Sequence, residues 1–230
     1  NRYFSDIRAI LNLAKRKRII KDFAPVDKLQ ADERRETRAL TNEEIEKIYS
    51  ALPEYLKDPF MFALSTGWRK SNLVNLTRAH LTKRPDNTYK ICFKAKEMKR
   101  KKPFEHYCTQ EETEIINRNL SMKDPFIFRR ETKVNGAKTK HLGDFKKSII
   151  RTRKITGIYW TWHWLRHTRA TRYAEMGINQ QQANRLMAWS PKSRMWGNYE
   201  HLQEEHLSKL RQDLESFGHH MDTKTNIGKI

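Results

Sequence analysis

Apolar residues repeat at helical spacing through most of this chain, and the pattern switches to strict alternation between residues 89 and 108. Tyr3, Phe4, Ile7, Ile10, Leu11 and Ala14 mark an amphipathic helix over residues 2 to 18 with a basic end. Thr41 followed by Glu44 is a capping box, in which hydroxyl and carboxylate satisfy each other's backbone amides, and it opens a helix carrying Ile45, Ile48, Tyr49 and Leu52. Helical spacing continues over 59–66, stopping at Gly67. A short helix follows with Leu73, Leu76 and Leu81, and the pattern returns over 111–120, 141–155, 162–176, 179–188 and 203–216. Gly177 is placed to cap the helix that ends before it. Against this, Tyr89, Ile91 and Phe93 alternate, as do Phe104, His106 and Cys108, predicting two short strands joined by a basic turn over 94–102. The expected fold is mainly α with a small antiparallel β-sheet, an α+β architecture.

Residues 25–40 hold a proline, many charges and few large apolar side chains, and read as a linker. The predicted organisation is therefore 1–24, the last helix of a truncated domain; 25–40, a linker; 41–217, the main domain; and 218–230, a polar flexible tail. A start at Asn1 inside a helical pattern predicts a fragment of a longer protein. Residues 1 to 20 lack a signal-peptide layout, because Lys15, Arg16, Lys17 and Arg18 follow the apolar residues.

Charge narrows the function classes. Lys plus Arg number 47 against 27 Asp plus Glu, a formal net charge of +20. The expected partner is a polyanion, most simply nucleic acid. The longest apolar runs fall far short of the roughly 18 residues of a membrane span. Two cysteines, Cys92 and Cys108, make no disulfide framework and favour a reducing compartment. A Gly-rich phosphate loop is absent, which argues against a nucleotide triphosphatase. His163 and His167 have the i, i+4 spacing of two zinc ligands, but the Glu of the protease pattern does not follow His163 and the cysteines lack partners, so no metal is expected.

Three segments carry phosphate chemistry. Arg69 follows the break at Gly67 and so stands near a helix N-terminus, where backbone amides also favour an anion. His163 and Arg166, three apart, share a helix face. A guanidinium can fork onto two phosphate oxygens while an imidazole moves a proton. Tyr199 lies in a polar, basic setting, and a phenol can attack phosphorus and hold the product covalently.

Their order and spacing resemble the tyrosine recombinase family, the phage-integrase type of site-specific recombinases. Ser65-Thr66-Gly67-Trp68-Arg69-Lys70-Ser71-Asn72-Leu73-Val74-Asn75-Leu76 resembles the box with the first catalytic arginine. His163 to Thr171 resembles the box with the histidine–arginine pair. Leu186-Met187-Ala188-Trp189-Ser190 and Asn198-Tyr199-Glu200-His201-Leu202 resemble the closing box. Trp189 is ten residues before Tyr199, and His163 is 36 before it. Residues 2–24 resemble the end of the family's core-binding domain, and residues 39–45 its entry into the catalytic domain. Two positions depart from the family: Asn72 stands where an acidic residue is usual, and Met187-Ala188-Trp189 replaces a Leu-Gly-His form.

The resemblance implies that Tyr199 attacks a DNA phosphate, forms a 3′-phosphotyrosyl bond and frees a 5′-hydroxyl, without ATP, metal or cofactor. Arg69 and Arg166 would stabilise the pentacoordinate phosphorus. His163 would act on the tyrosine proton, and Trp189 would support the phosphate oxygens or the tyrosine's helix. Asn72 and His167 would support the site from behind. A lysine of the turn would protonate the leaving 5′-oxygen; counting from the second strand favours Lys99, matching from the first favours Lys96. Phosphate contacts are expected from Lys70, Arg78, Lys94, Lys96, Arg100, Lys101 and Arg169, with Lys146, Lys147, Arg151, Arg153 and Lys154 as further candidates. Implied partners are double-stranded DNA recombination sites, a tetramer of the chain on DNA, and accessory DNA-bending proteins, with no membrane. The implied location is the cytoplasm and nucleoid of a prokaryotic cell, for a phage or another mobile element. Leu202, Leu207, Leu210 and Leu214 form a stripe that could pack in cis or in trans. The alternatives are a type IB topoisomerase, which rejoins the same strand, and a non-catalytic DNA-binding relative.

Overall fold

The computed structural model describes residues 2–25, 38–99, 101–134, 137–189, 196–197 and 207–208. The chain forms two compact units, Asn1–Thr37 and Arg38–Ile230. The first contains α1 (Arg2–Arg16), an amphipathic helix with Lys15 and Arg16 in its last turn. Basic side chains there suit the negative end of the helix dipole. Lys15 pairs with Asp22 at 3.0 Å.

The second unit starts with the expected capping box. Thr41 N–H donates to Glu44 Oε2 (3.0 Å), and Glu44 N–H donates to Thr41 Oγ1 (3.3 Å), opening α2 (Asn42–Ala51). Arg38 forks onto the same Glu44 carboxylate and lies 5.5 Å from the Trp164 ring. α3 (Glu54–Thr66) ends where expected, at Gly67, whose φ of +63° carries the chain out through the left-handed region. The next helix, α4 (Lys70–Val74), is shorter than the spacing of Leu73, Leu76 and Leu81 predicts. Asn75 Nδ2 bonds the Ser71 carbonyl, and the backbone then pairs across the molecule: Arg78 N–H to Pro125 O and Ile127 N–H to Leu76 O. Long-range pairing outcompetes the helix, and Leu81 begins a strand instead.

That strand, β1 (Leu81–Lys83), adds to the two expected ones, β2 (Tyr89–Phe93) and β3 (Phe104–Tyr107), in an antiparallel sheet of order β1-β2-β3. The register sets Ile91 opposite His106 and Phe93 opposite Phe104. Phe104 and His106 face inward while Glu105 and Tyr107 face out, as the alternation predicts. α5 (Gln110–Asn119) follows under a second capping box, Thr109 with Glu112. A two-stranded sheet comes next, β4 (Arg129–Val134) with β5 (Ala137–His141), ending where helical spacing predicts the start of a helix. α6 (Lys146–Thr156) consequently starts five residues later than expected, after Gly143 at φ +66°. α7 (Trp162–Glu175) and α8 (Gln180–Leu186) match their predicted spans closely. Gly177 has φ +72° and donates to the Ala174 carbonyl, the expected end of α7.

The main core is aromatic. Phe60 meets Trp160 edge-on at 5.6 Å, and Phe62 meets Trp68 at 5.5 Å. Such rings supply large burial per residue, which offsets the low aliphatic content. A second cluster gathers Tyr173, Ala183, Met187, Trp189 and Trp196 around α7 and α8. Among the described residues, no helix is long and apolar enough to cross a membrane.

Candidate active site

The turn Gly67-Trp68-Arg69 organises the site. A Cβ at Gly67 would meet Met187 Cε at 2.7 Å and Arg169 Cβ at 3.1 Å, so both backbone conformation and packing call for glycine. Trp68 is buried beneath the turn. Arg69 caps α4 with extended backbone, the helix-start position that the sequence predicts.

Arg166 projects from α7 and is only 4% exposed. It donates through Nη1 to the Gly67 carbonyl at 2.6 Å and through Nη2 to the Met187 carbonyl at 2.7 Å. Its guanidinium stands 5.2 Å from the Trp189 ring. Arg69 Nη1 reaches the Ala188 carbonyl at 3.4 Å. Successive carbonyls of the Met187-Ala188-Trp189 segment thus bind the two arginines. Ala188 turns them that way with φ +49°, a conformation that costs a non-glycine residue about 1–2 kcal/mol. Main-chain acceptors of this kind have no side-chain signature in the sequence. Their trace was the small residue before Trp189, where the resembled family has Gly.

His163 stands one turn before Arg166 on α7, and its ring meets His167 edge-on at 4.7 Å. Desolvation, with the Arg166 and Arg69 charges beside it, lowers the His163 pKa from its usual value. Desolvation, then His163 and Arg166, lower His167 to about 4. Both rings are therefore biased towards the neutral form, which can accept a proton. Trp189 is 5% exposed and packs on Trp196, three residues before Tyr199. Tyr199 itself lies outside the described residues, as does Arg100. So do Leu202, Leu210 and Leu214 of the C-terminal stripe, whereas Leu207 is exposed.

The basic turn between β2 and β3 contains a single 3₁₀ turn, Ala95–Glu97, closed by the Lys94 N–H on the Glu97 carboxylate. Met98 dips into the core, and Asn72 Nδ2 contacts its sulfur at 3.6 Å. Asn72, on α4, thus links the basic turn to the helix that Arg69 caps. Lys94, Lys96, Lys99, Lys101 and Lys102 are all exposed around this anchor. A cavity of about 950 Å³ opens alongside, lined by Met98, Lys102, Phe104, Asn184 and Trp189 among others.

The other predicted cations differ in setting. Lys70 pairs with Asp144 at 2.7 Å and lies 4.1 Å from the Phe145 ring centre. Arg78 donates to the Ser121 carbonyl at 3.0 Å. Arg169 lies over Tyr173 at 4.3 Å, with its stem against Gly67. Among the described residues, the one cluster of three potential metal ligands is His106, Cys108 and Glu112. His106 and Glu112 already bond each other at 2.7 Å, and burial, helped by the Glu112 charge, pushes the Cys108 thiol far above its usual range.

The sequence profile of the phage integrase family matches residues 38–206. The integrase of Salmonella phage P22 is 25% identical over 223 residues, which are 93% of this chain and 56% of that protein, so the chain spans little more than half of that relative. The structure is similar to the Tn1549 transposon integrase solved with circular intermediate DNA (TM-score 0.58, 20% identity, 86% of this chain and 73% of that one). It is also similar to the catalytic domain of bacteriophage HP1 integrase (TM-score 0.54, 19% identity, 77% and 95%). A lambda integrase dimer bound to a core site gives a TM-score of 0.56 at 20% identity, over 97% of this chain and 60% of that one. With a profile that spans most of the chain and a matching mainly helical fold, the chain belongs to the phage integrase family.

Proposed function

We propose that this chain is the cutting and rejoining part of a site-specific DNA recombinase. The observation that carries this reading is the convergence of three distant segments: Arg166 binds the Gly67 and Met187 carbonyls, and Arg69 binds the Ala188 carbonyl. Two guanidiniums so held are fixed donors, suited to the charge that builds on a pentacoordinate phosphorus. His163, biased towards neutral, takes the Tyr199 proton as the phenolic oxygen bonds to phosphorus. The bond to the 5′-oxygen breaks, and a lysine of the basic turn gives that oxygen its proton. Lys99 follows the Met98 anchor and is the first choice; Lys96, in the 3₁₀ turn, is the second. Trp189 supports Arg166 by packing against its guanidinium. The phosphotyrosyl bond stores the energy of the broken one, so ATP is not required, and a 5′-hydroxyl from a partner strand reverses the step.

The partner is double-stranded DNA, gripped through phosphates by exposed lysines of the basic turn and by Lys70 once it leaves Asp144. Strand exchange between two duplexes needs several copies of the protein, up to a tetramer, and accessory DNA-bending proteins are candidate helpers. The place of action is wherever the DNA lies, the cytoplasm and nucleoid of the host cell. The division into a residual core-binding helix (1–24), linker (25–40), catalytic domain (41–217) and tail (218–230) belongs to the same reading.

The test uses nicked duplexes carrying the junctions that flank the protein's own gene. Mixed without metal or ATP and denatured in detergent, the protein should leave a covalent protein–DNA band. Transfer of the cut strand to a second duplex marks a recombinase; rejoining of the same strand alone marks a topoisomerase. DNA binding without any covalent band contradicts the proposal.

A further inference from the structure

Beneath the arginine turn lies a buried polar network that the proposed chemistry does not use. Glu112, 2% exposed, accepts from Ser65 Oγ at 2.5 Å, from His106 Nε2 at 2.7 Å and from the Thr109 N–H at 3.1 Å. Burial pushes its carboxyl upwards, but the bonds from His106, Ser65 and Thr109 prevail and hold it below the usual range, so the buried group is an anion. Its three donors come from different elements: Ser65 from the last turn of α3, His106 from β3 and Thr109 from the cap of α5.

Trp68 completes the link. Its ring meets His106 edge-on at 5.0 Å, Phe93 at 5.4 Å and Phe104 at 5.7 Å. Phe93 and Phe104 face each other as the last residue of β2 and the first of β3, so they form the neck of the basic turn. Trp68 also directly precedes Arg69. One carboxylate therefore ties the segment that carries Arg69 to the strands that carry the lysines. An apolar trio could fill the space without the cost of burying a charge; what the hydrogen-bonded trio adds is directional geometry.

We propose that Glu112 is a positioning residue for strand cleavage: anchored by Ser65 beside the Arg69 turn, which Arg166 holds independently, it fixes the neck of the basic turn through His106 and Trp68, so that the lysine meets the phosphate the arginines bind. This rests on the function proposed above, with a lysine of the turn as proton donor.

The test compares two nicked duplexes with the full-length protein. One has the natural 5′-oxygen at the scissile phosphate; the other has sulfur at that bridging position. In either case the Tyr199 oxygen bonds to phosphorus and the bridging bond breaks. Oxygen needs a proton as it leaves, whereas sulfur leaves as a stable thiolate. Misplacing a catalytic group by about 1 Å can cost on the order of 100-fold. Glu112→Ala should thus form the covalent complex roughly 10- to 100-fold more slowly on the oxygen substrate, return to within about threefold of wild type on sulfur, and bind DNA within about threefold of wild type. Glu112→Gln should recover most of the rate, since its amide oxygen can still accept from His106 and the Thr109 N–H while its amide nitrogen donates to the Ser65 hydroxyl. Ser65→Ala, a milder change should Glu112→Ala fail to fold, should show the same sulfur rescue of a defect of about three- to tenfold. Equal slowing on both substrates, or no slowing on oxygen, overturns the positioning role. Lys99→Ala and Lys96→Ala run in parallel: absence of sulfur rescue in both overturns the lysine assignment and the inference with it. A wild-type protein that forms no covalent complex on either duplex overturns the proposed function itself.

Discussion

Arg166 and Gly67, 99 residues apart, are joined by a 2.6 Å hydrogen bond from the guanidinium to the glycine carbonyl. The same guanidinium holds Met187 on its other arm. The arginine proposed to meet the phosphate is thus also the clamp between two of the boxes. Function and local stability are coupled at this residue, and substitutions around it should move both.

Replacing Gly67 with Ala forces a Cβ against Met187 and leaves a non-glycine residue at φ +63°. The backbone alone costs about 1–2 kcal/mol. Urea melts should show an unfolding free energy lowered by at least that amount, and the covalent complex should form more slowly. Ala188→Gly works in the opposite sense. It relieves φ +49° and should raise stability by up to about 1 kcal/mol with cleavage preserved.

Arg166→Lys keeps the charge and loses the fork. An ammonium is a compact point charge and cannot span two carbonyls as a guanidinium does. Covalent complex formation should fall about 10²- to 10³-fold, the scale for losing one fixed donor to a transition state. DNA affinity in a filter or gel-shift assay should change by less than about threefold, because a single phosphate contact is a small share of the grip.

His167 sets a pH dependence of stability. Its folded pKa of about 4 lies below the ordinary value, so the unfolded chain takes up the proton first as pH falls. The stability associated with the neutral ring is complete above pH about 6.5 and is lost between there and pH about 4, with a slope of at most about 1.4 kcal/mol per pH unit. Lowered His163 adds in the same direction. Urea melts of the DNA-free protein at several pH values should show this loss, and His167→Gln should flatten it.

Lys70 must exchange Asp144 for a phosphate if it is to hold DNA. An exposed ion pair is worth up to about 1 kcal/mol, a factor of about five in affinity. Asp144→Asn should therefore bind DNA up to about fivefold more tightly at low salt, the gain shrinking as salt rises. Unchanged affinity would remove Lys70 from the interface.

Much of this was legible in the residues. Thr41 with Glu44, the left-handed Gly67 and Gly177, and the alternation that faces Phe104 and His106 inward are local signals, and the fold follows them. The misses were non-local or charge-masked. Leu81 left its helical spacing because residues 76–78 pair with residues 125–127, a contact that no window of sequence contains. The β4–β5 pair has the dipeptide Asn135-Gly136 between its strands, a sequence favoured in hairpins, but the strands are rich in charge and offer no apolar alternation. At the site, Arg69, His163, Arg166 and Tyr199 could be named from their chemistry and setting, and Trp189, Asn72, His167 and the turn lysines through the family resemblance, whereas the Met187 and Ala188 carbonyls act through backbone that any residue carries. Glu112 carries no sequence signal beyond the helical spacing of residues 111–120, and its burial depends on Ser65 and His106 arriving from elsewhere.

The most direct measurement concerns the nucleophile. Wild-type protein and Tyr199→Phe are incubated with the same nicked duplex, denatured, digested and analysed by mass spectrometry. The wild type should carry a covalent adduct on Tyr199, and Tyr199→Phe should carry none while its DNA affinity stays unchanged. An adduct that survives the substitution, on Tyr159, Tyr173 or any other residue, would contradict it.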